Sequence, residues 1–500
     1  MYAGITAIAA IFVARLLGPD GYGLYTLAFL IPGILSLFVG LGVNISVTRY
    51  VAYYVSSGDV QRAKSITRSA TGFLILFGLV LSAVNFFGAS FLVDALLHRP
   101  SLVFYVQVAS FFIIGQTVAQ SASSVFIGWS SMVELSGFTI LQAVLKLVLT
   151  VGLIVAGFGV LGAVTGHVIS YLIEGALATM FLYVAHMRPW SRQSNTFLAD
   201  TKMMMSYGFP PYAGNIVSGL ASQYVTVILA AIATNSVIGY YQAALNVTVA
   251  IGVISGAMTN ALFRSFAALH GISGDTSLAF SYAVRYVSLL LTPMVFFLIA
   301  AAGPLFDLVY TPSFSQGVIL LQLVAISTLP VAIGFTVLTP FFNGIGKSRI
   351  TMLITLASAV GLAAAGYFLA VIMGLGAQGI MAAFIVSNVA LTIPGLLVAR
   401  SYVNVRMPVR PLAGITAAAF VAWLAISILP FGGLPSLAII AVDFAIFTIV
   451  YLTCVPLFWG IDGDDIVRLS IAGEALGPAR RVLVVALGYE RRLLDLAKRA

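Results

Sequence analysis

Few side chains in this 500-residue sequence can do chemistry, and most of them lie where a polar group is costly. Lys146 sits inside an apolar run, 135–157, that holds no other charged residue. An ammonium there can hold a phosphate or a sugar acid; the competing reading is a lysine that snorkels to the interface or pairs with a carboxylate. Glu174 lies in the run 160–185, with His167 seven residues before it. Seven residues is two helical turns, so the two share a face. Such a pair can pass protons or hold a cation for antiport, while a structural bridge between Lys146 and Glu174 is the alternative. Asp443, within 434–458, either joins the ion coupling or caps or pairs locally. A charged group costs about 2.5–3.5 kcal/mol at the centre of a spanning helix on insertion scales, so each needs a partner or a task.

Uncharged polar residues add to this set. Gln116 and Gln120 are four apart and share a face, and Asn246 and Asn260, fourteen apart, do the same; Asn44, Asn215, Gln223 and Asn388 also fall in apolar runs. They can hydrogen-bond sugars or tie helices together. Arg264 and Arg285 flank a connection near 264–277 and are either phosphate contacts or charges that set orientation. The sequence has no GxxxxGK[ST] phosphate loop, no Cys/His cluster and no nucleophile elbow, and its single cysteine, Cys454, can form no internal bridge. ATP hydrolysis, a resident metal or cofactor, and enzymatic catalysis are therefore not expected.

The elements that must position these groups are membrane spans. Hydrophobic residues make up 61% of the chain and charged residues 8%, against roughly 25% charged in soluble domains. So few charges cannot cover a soluble surface, which excludes a soluble enzyme, a nucleic-acid binder and a secreted disulfide scaffold. Apolar runs near 2–17, 22–47, 70–93, 102–128, 135–157, 160–185, 207–233, 236–263, 278–302, 315–343, 350–373, 377–399, 412–430 and 434–458 are long enough to cross, and too long and uniform for barrel strands. The fold expected is all-α and polytopic, with about fourteen transmembrane helices. The first span is short and lacks a basic flank; it is either interfacial or follows a late start, and it is no signal peptide.

Arginine and lysine set the orientation. With the N-terminus inside, twenty-one basic residues fall on the inner side, among them Arg62, Lys64, Arg68, Arg188, Arg192, Lys202, Lys347, Arg349, Arg400, Arg406 and Arg410; only Arg15 and Arg99 fall outside. Under the positive-inside rule both termini are cytoplasmic, and the net charge of +9 reports inner loops facing anionic lipid. Outer connections such as Gly157-Phe158-Gly159 and Gly374-Leu375-Gly376 are short, so any site lies between helices.

The chain also repeats itself. A shift of 216 lays Gly23, Tyr25 and Ala28 on Gly239, Tyr241 and Ala244, and Phe126-Ile127-Gly128 on Phe342-Asn343-Gly344; a shift of 217 lays Gly162 on Gly379 and Ser170 on Ser387. An even number of spans per unit makes the repeats parallel, related by an axis along the membrane normal. The expected organisation is an N-lobe at 1–186, an inter-lobe loop at 187–206, a C-lobe at 207–400, two extra spans at 401–460 and a cytoplasmic tail at 461–500. A cleft between two six-helix lobes follows, with rocking of the lobes giving alternating access. In the tail, Asp464-Asp465 can start a helix and Gly477-Pro478 breaks it. A second segment with Arg480, Arg481, Arg491, Arg492, Lys498 and Arg499 reads as an interfacial helix on the anionic leaflet, or a docking site for a partner protein.

The stretch ARLLGPDGYGLYTLAFLIPGILSLFVGLGV (14–43), with SVTRYVAYYVSSGDVQRAKSI (46–66), VIGYYQAAL (237–245) and FFNGIGKSR (341–349), resembles the Wzx-type polysaccharide flippases. These belong to the multidrug/oligosaccharidyl-lipid/polysaccharide (MOP) exporter superfamily. The resemblance covers nearly the whole chain, in motifs that punctuate structure rather than carry catalysis. It implies movement of an undecaprenyl- or dolichyl-linked oligosaccharide from the cytoplasmic to the outer leaflet of the cell membrane. Arg15 and Arg49 match recurring family positions at the ends of the first two spans. Arg15 would draw the head outward or anchor the interface, and Arg49 would greet the diphosphate or supply inner charge. The partners implied are a lipid-linked glycan, membrane lipid, a coupling proton or sodium ion and glycan-assembly enzymes docking on the tail, with no nucleic acid. The alternatives are a multidrug or cation antiporter of the same superfamily, whose spans should carry cavity acids, and a membrane glycan polymerase or ligase, which needs a long outer loop.

Overall fold

Backbone groups surrounded by lipid must find their partners inside the protein, which leaves the α-helix for apolar runs of this length. The computed structural model describes residues 2–188, 196–271, 274–403, 407–428, 435–472 and 480–497, helical throughout apart from short connections. Arg192, Arg406, Lys498, Arg499 and the Gly477-Pro478 break lie outside the described residues, as does part of the 187–206 loop. The helices are α1 (Tyr2–Ala28), α2 (Leu30–Ser36), α3 (Val43–Ser56), α4 (Val60–Leu97), α5 (Val103–Gly128), α6 (Met132–Leu153), α7 (Gly159–His186), α8 (Phe197–Ile232) and α9 (Asn235–Gly271). Then follow α10 (Thr276–Ala300), α11 (Ala302–Val309), α12 (Gly317–Ser327), α13 (Thr336–Gly344), α14 (Ser348–Tyr367), α15 (Gly376–Val403), α16 (Val409–Ile428), α17 (Ser436–Leu457), α18 (Gly463–Ala472) and α19 (Arg480–Ala497). Two compact units divide the chain within α9, at Met1–Asn246 and Val247–Ala500.

Twelve stretches among the described residues are long and apolar enough to cross a bilayer. Two of them, Tyr2–Ser36 and Met132–His186, double back inside, which restores the fourteen passes read from the sequence. In α1 the reversal falls at Gly18, whose φ of 68° is open to glycine. Tyr2 lies within electrostatic reach of Tyr171, and Tyr25 bonds His167, four residues away on α7. In one straight helix Tyr2 and Tyr25 would stand about 34 Å apart and could not both reach there. In the second stretch the turn is Gly157-Phe158-Gly159, with φ of 95° and 52° at its glycines.

The repeat is visible in these details. A π turn at Ile154–Phe158 leads into the Gly157/Gly159 turn, and a π turn at Phe368–Ile372 leads into Gly374 and Gly376, each 217 residues later and again with positive φ. A Cβ on Gly162 would meet the Leu153 backbone at 2.9 Å, and one on Gly379 would meet Leu369 at 2.7 Å. Within the first unit the contact is reciprocal. Gly23 lies against the Asn235 carbonyl and Gly239 against the Pro19 carbonyl, so each copy of the 18–28 motif presses its glycine on the other.

Polarity inside the first unit is inverted relative to a soluble bundle. Leu76, Val80, Val84, Phe87 and Phe91 of α4 are exposed along one stripe, Phe87 at 84%. Its opposite face buries Thr71, Gly78, Ser82 and Asn85. Asn85 donates to Ser110 Oγ (2.7 Å), Ser82 to the Ser110 carbonyl (2.8 Å), and Gly78 lets Thr117 approach, so α4 and α5 close on small and polar residues. At one end, Asp59 caps α4 by accepting from the Arg62 N–H, and a fully buried Asp200 from the start of α8 receives Arg62 (2.6 Å), Ser65, Ser69 and Thr196. At the other end, Arg99 donates to the Ala230 and Ala233 carbonyls and the Asn235 side chain.

In the second unit α18 opens with a reciprocal cap, Asp462 N–H to the Asp465 carboxylate and Asp465 N–H back to Asp462, both 3.0 Å. Buried Arg285 clamps both acids, at 2.9 Å and 2.6 Å, and donates to the Gly460 carbonyl. Asp465 also accepts from Tyr286. α19 folds back on α17 through Leu483, Leu487 and Leu494. Burial pushes the Glu490 carboxyl, which faces Asp465 and Tyr451, up to about 7.

Two expectations follow. Arg62→Ala leaves the Asp200 carboxylate buried without its counter-charge and should cost on the order of 3 kcal/mol, read as faster amide exchange over 196–204. Docked Glu490 keeps its proton to about 7, whereas the released side chain keeps it only below its ordinary 4.5, so docked α19 binds more protons in that window. Docking should therefore tighten as pH falls from 8 to 6. Glu490→Gln should remove this dependence, with proteolysis of the 480–497 segment as the measurement.

Candidate functional site

The chemistry-bearing groups of the first unit gather where α1, α5, α6 and α7 meet. Gly166 of α7 packs against the Leu149 and Thr150 backbone of α6, where a Cβ would come within 2.7 Å. That close approach brings Lys146, one turn from Thr150, level with the stretch His167–Ser170. Lys146 is half-buried and within electrostatic range of His167. It makes neither ion pair nor hydrogen bond among the described residues. The bridge from Lys146 to Glu174 is absent from this structure.

His167 is walled by aromatic rings: Phe29 at 4.4 Å between centroids, Phe112 at 5.4 Å, Tyr171 at 5.6 Å and Tyr25 at 6.0 Å. The Tyr25 hydroxyl and His167 Nδ1 are 2.7 Å apart. When the hydroxyl donates, a neutral ring carries its proton on Nε2 and offers it to a ligand oxygen. Tyr25 stacks on Tyr22, whose hydroxyl accepts from Asn246 Nδ2 at 2.7 Å, and Asn246 Oδ1 faces Gln242 Nε2 at 3.4 Å. Gln142 donates to Ser170 below the ring. The result is an ammonium and an imidazole lined by tyrosine hydroxyls and amides, a set suited to an anionic oxygen next to a sugar.

Glu174 follows on α7, two turns past His167, at 4% exposure and with no ion pair or hydrogen bond among the described residues. Phe112, Gln116 and Gln120 succeed one another along one face of α5. Gln116 is half-buried and Gln120 exposed, and neither amide is bonded among the described residues. The structure thus brings Lys146, His167 and Asn246 together, with Glu174 and Gln116 beside them. Arg15 is exposed on α1, and Arg49 is exposed with its guanidinium 4.0 Å from the Tyr207 ring. Arg264, Arg285 and Asp443 belong to the second unit. Arg264 is exposed, and Asp443 is buried on α17 without a partner among the described residues. Arg285 directs three of its donors at the start of α18, a structural engagement that spacing alone did not suggest.

Sequence reasoning missed Tyr22, Tyr25, Tyr171 and Asp200. Tyr171 follows His167 by one turn, so periodicity offered it. The Tyr25–His167 contact joins residues 142 apart and has no local signal.

Residues 1–270 match the family described as Polysaccharide biosynthesis protein. No curated protein matches the sequence. Among solved structures, the lipid II flippase MurJ in an inward closed conformation is similar over 92% of this chain and 97% of its own, with a TM-score of 0.75 and 11% identity. An inward-facing multidrug resistance MATE family transporter of the MOP superfamily is similar over 81% and 95%, with a TM-score of 0.69 and 18% identity. A MOP superfamily transporter from Pyrococcus furiosus gives 0.56 at 18% identity over 81% of this chain and 94% of its own. At such identities these likenesses establish the fold. Replacing Tyr25 by Phe removes the bond to His167 without changing shape and should lower stability by about 1 kcal/mol in denaturant unfolding, whereas Tyr53→Phe, on an exposed ring, should change it little.

Proposed function

The chain belongs to the polysaccharide biosynthesis protein family, and we propose that it is a flippase moving a lipid-linked oligosaccharide or polysaccharide repeat unit from the inner to the outer leaflet by alternating access. The family and the MOP fold support a membrane transporter. The observation that carries the finer reading is Lys146, an ammonium inside a span with no protein partner among the described residues, beside His167 and a wall of tyrosines. A sugar phosphate entering hydrocarbon loses its hydrogen bonds to water. A free ammonium answers the phosphate, and Tyr22, Tyr25, Asn246 and Gln116 supply hydroxyls and amides for the sugar. Arg49 and Arg15 then serve entry and exit at the two mouths, and Arg264 adds inner charge.

Glu174 and Asp443, both buried and unpartnered among the described residues, are the groups proposed to couple transport to a proton or sodium gradient. The same unpartnered Glu174 favours the second reading, a cation-coupled multidrug antiporter. The basic distribution supports cytoplasmic termini in the cell membrane.

Purified protein in liposomes loaded with lipid-linked glycan should move the glycan across the bilayer, and Lys146→Ala should slow it at least tenfold while Lys146→Arg retains most of the rate. Equal rates in both variants would overturn the cationic site. Drug efflux driven by a cation gradient, with no glycan movement, would select the antiporter.

A further inference from the structure

α19 has two faces. Leu483, Leu487, Glu490 and Leu494, spaced three and four apart, turn toward α17, with Leu487 and Glu490 at 5% and 4% exposure. The remaining surface presents Arg480 and Arg481, then Val484 and Val485, then Arg491 and Arg492, all exposed; Arg481, Val485 and Arg492 lie opposite the buried stripe, with Val485 bare at 74%. An arginine pair thus stands at each end of a short apolar patch. α19 carries four arginines against two acids, and one of those, Glu490, points inward.

Two contacts fix where this face lies. The hydroxyls of Tyr489 and Thr453 are 2.9 Å apart, which ties α19 to α17 one turn before that span ends at Leu457. Just past that end, Arg410 sits 4.2 Å from the ring of Trp459, which is 60% exposed, a pairing suited to the headgroup layer. The helix therefore runs at the level where α17 leaves the hydrocarbon.

We propose that this outer face of α19 binds the anionic headgroups of the surrounding bilayer, with Val484 and Val485 entering the acyl boundary and the arginine pairs resting on lipid phosphates. Short apolar strips flanked by arginine are built for the interface, whereas the cores of protein–protein contacts are depleted of charge. The proposal does not depend on what the transporter carries.

The test uses the full chain in nanodiscs of phosphatidylcholine alone or rich in phosphatidylglycerol, at one fixed pH. Amide exchange over 480–494 should slow about tenfold in the anionic discs. Replacing Arg480, Arg481, Arg491 and Arg492 by Gln should abolish the difference while α17 exchange stays unchanged. A reporter dye on Val485→Cys, in a Cys454→Ser background, reads the same contact if the fourfold variant does not fold; its emission should shift to the blue only in anionic discs. Exchange and emission indifferent to lipid charge would overturn the proposal. So would protection that appears only when a soluble protein is added.

Discussion

A peptide group in hydrocarbon has no solvent to fall back on, and every other feature of this protein answers to that constraint. Helices satisfy the backbone, and the side chains then sort in the sense opposite to a soluble fold. On α4 the large apolar residues face out while Ser82, Asn85 and Gly78 hold the helix to α5. In such an interior a polar group is either bonded or conspicuous. Asp200 and Arg285 are bonded several times over. Lys146, Glu174 and Asp443 are not, among the described residues, and that contrast makes them the candidates for work.

The bonded charges share a plan. Arg62, on the helix after the first Gly-Asp break, grips the segment that follows the seventh helix. Arg285, in the first half of α10, grips the segment that follows the last span. Each unit thus uses one arginine in the first half of a long helix to hold the chain that leaves the bundle. These contacts steady the ends of the helices, so the unpaired groups further along them stand on a fixed frame.

Much of this was legible in the sequence. Fourteen passes could be counted because lipid demands length and apolarity at once, and clustered glycines marked the turns at 18–23 and 157–159. The short connections at Gly157 and Gly374 were read as turns, and in the structure they stand at the same 217-residue offset as Gly162 and Gly379. The shared face of His167 and Glu174 followed from helical period alone. The Tyr25–His167 bond and the Asp200 cluster did not, because they join residues more than a hundred positions apart, and helix packing rather than local pattern sets them. For Arg285 the sequence left two readings open, and its acidic partners lie some 180 residues on, beyond the reach of any local pattern.

The contact of Gly23 with Asn235 and of Gly239 with Pro19 is self-complementary, each motif copy offering the carbonyl on which the other's glycine rests. A surface that fits its own copy is the mark of a symmetric dimer. Neither glycine can gain a Cβ without driving it into a backbone carbonyl of the other copy, so the two positions are constrained together. Away from that joint the copies differ: Lys146 and His167 in one have Leu362 and Phe384 at the equivalent positions, 216 and 217 residues later, in the other.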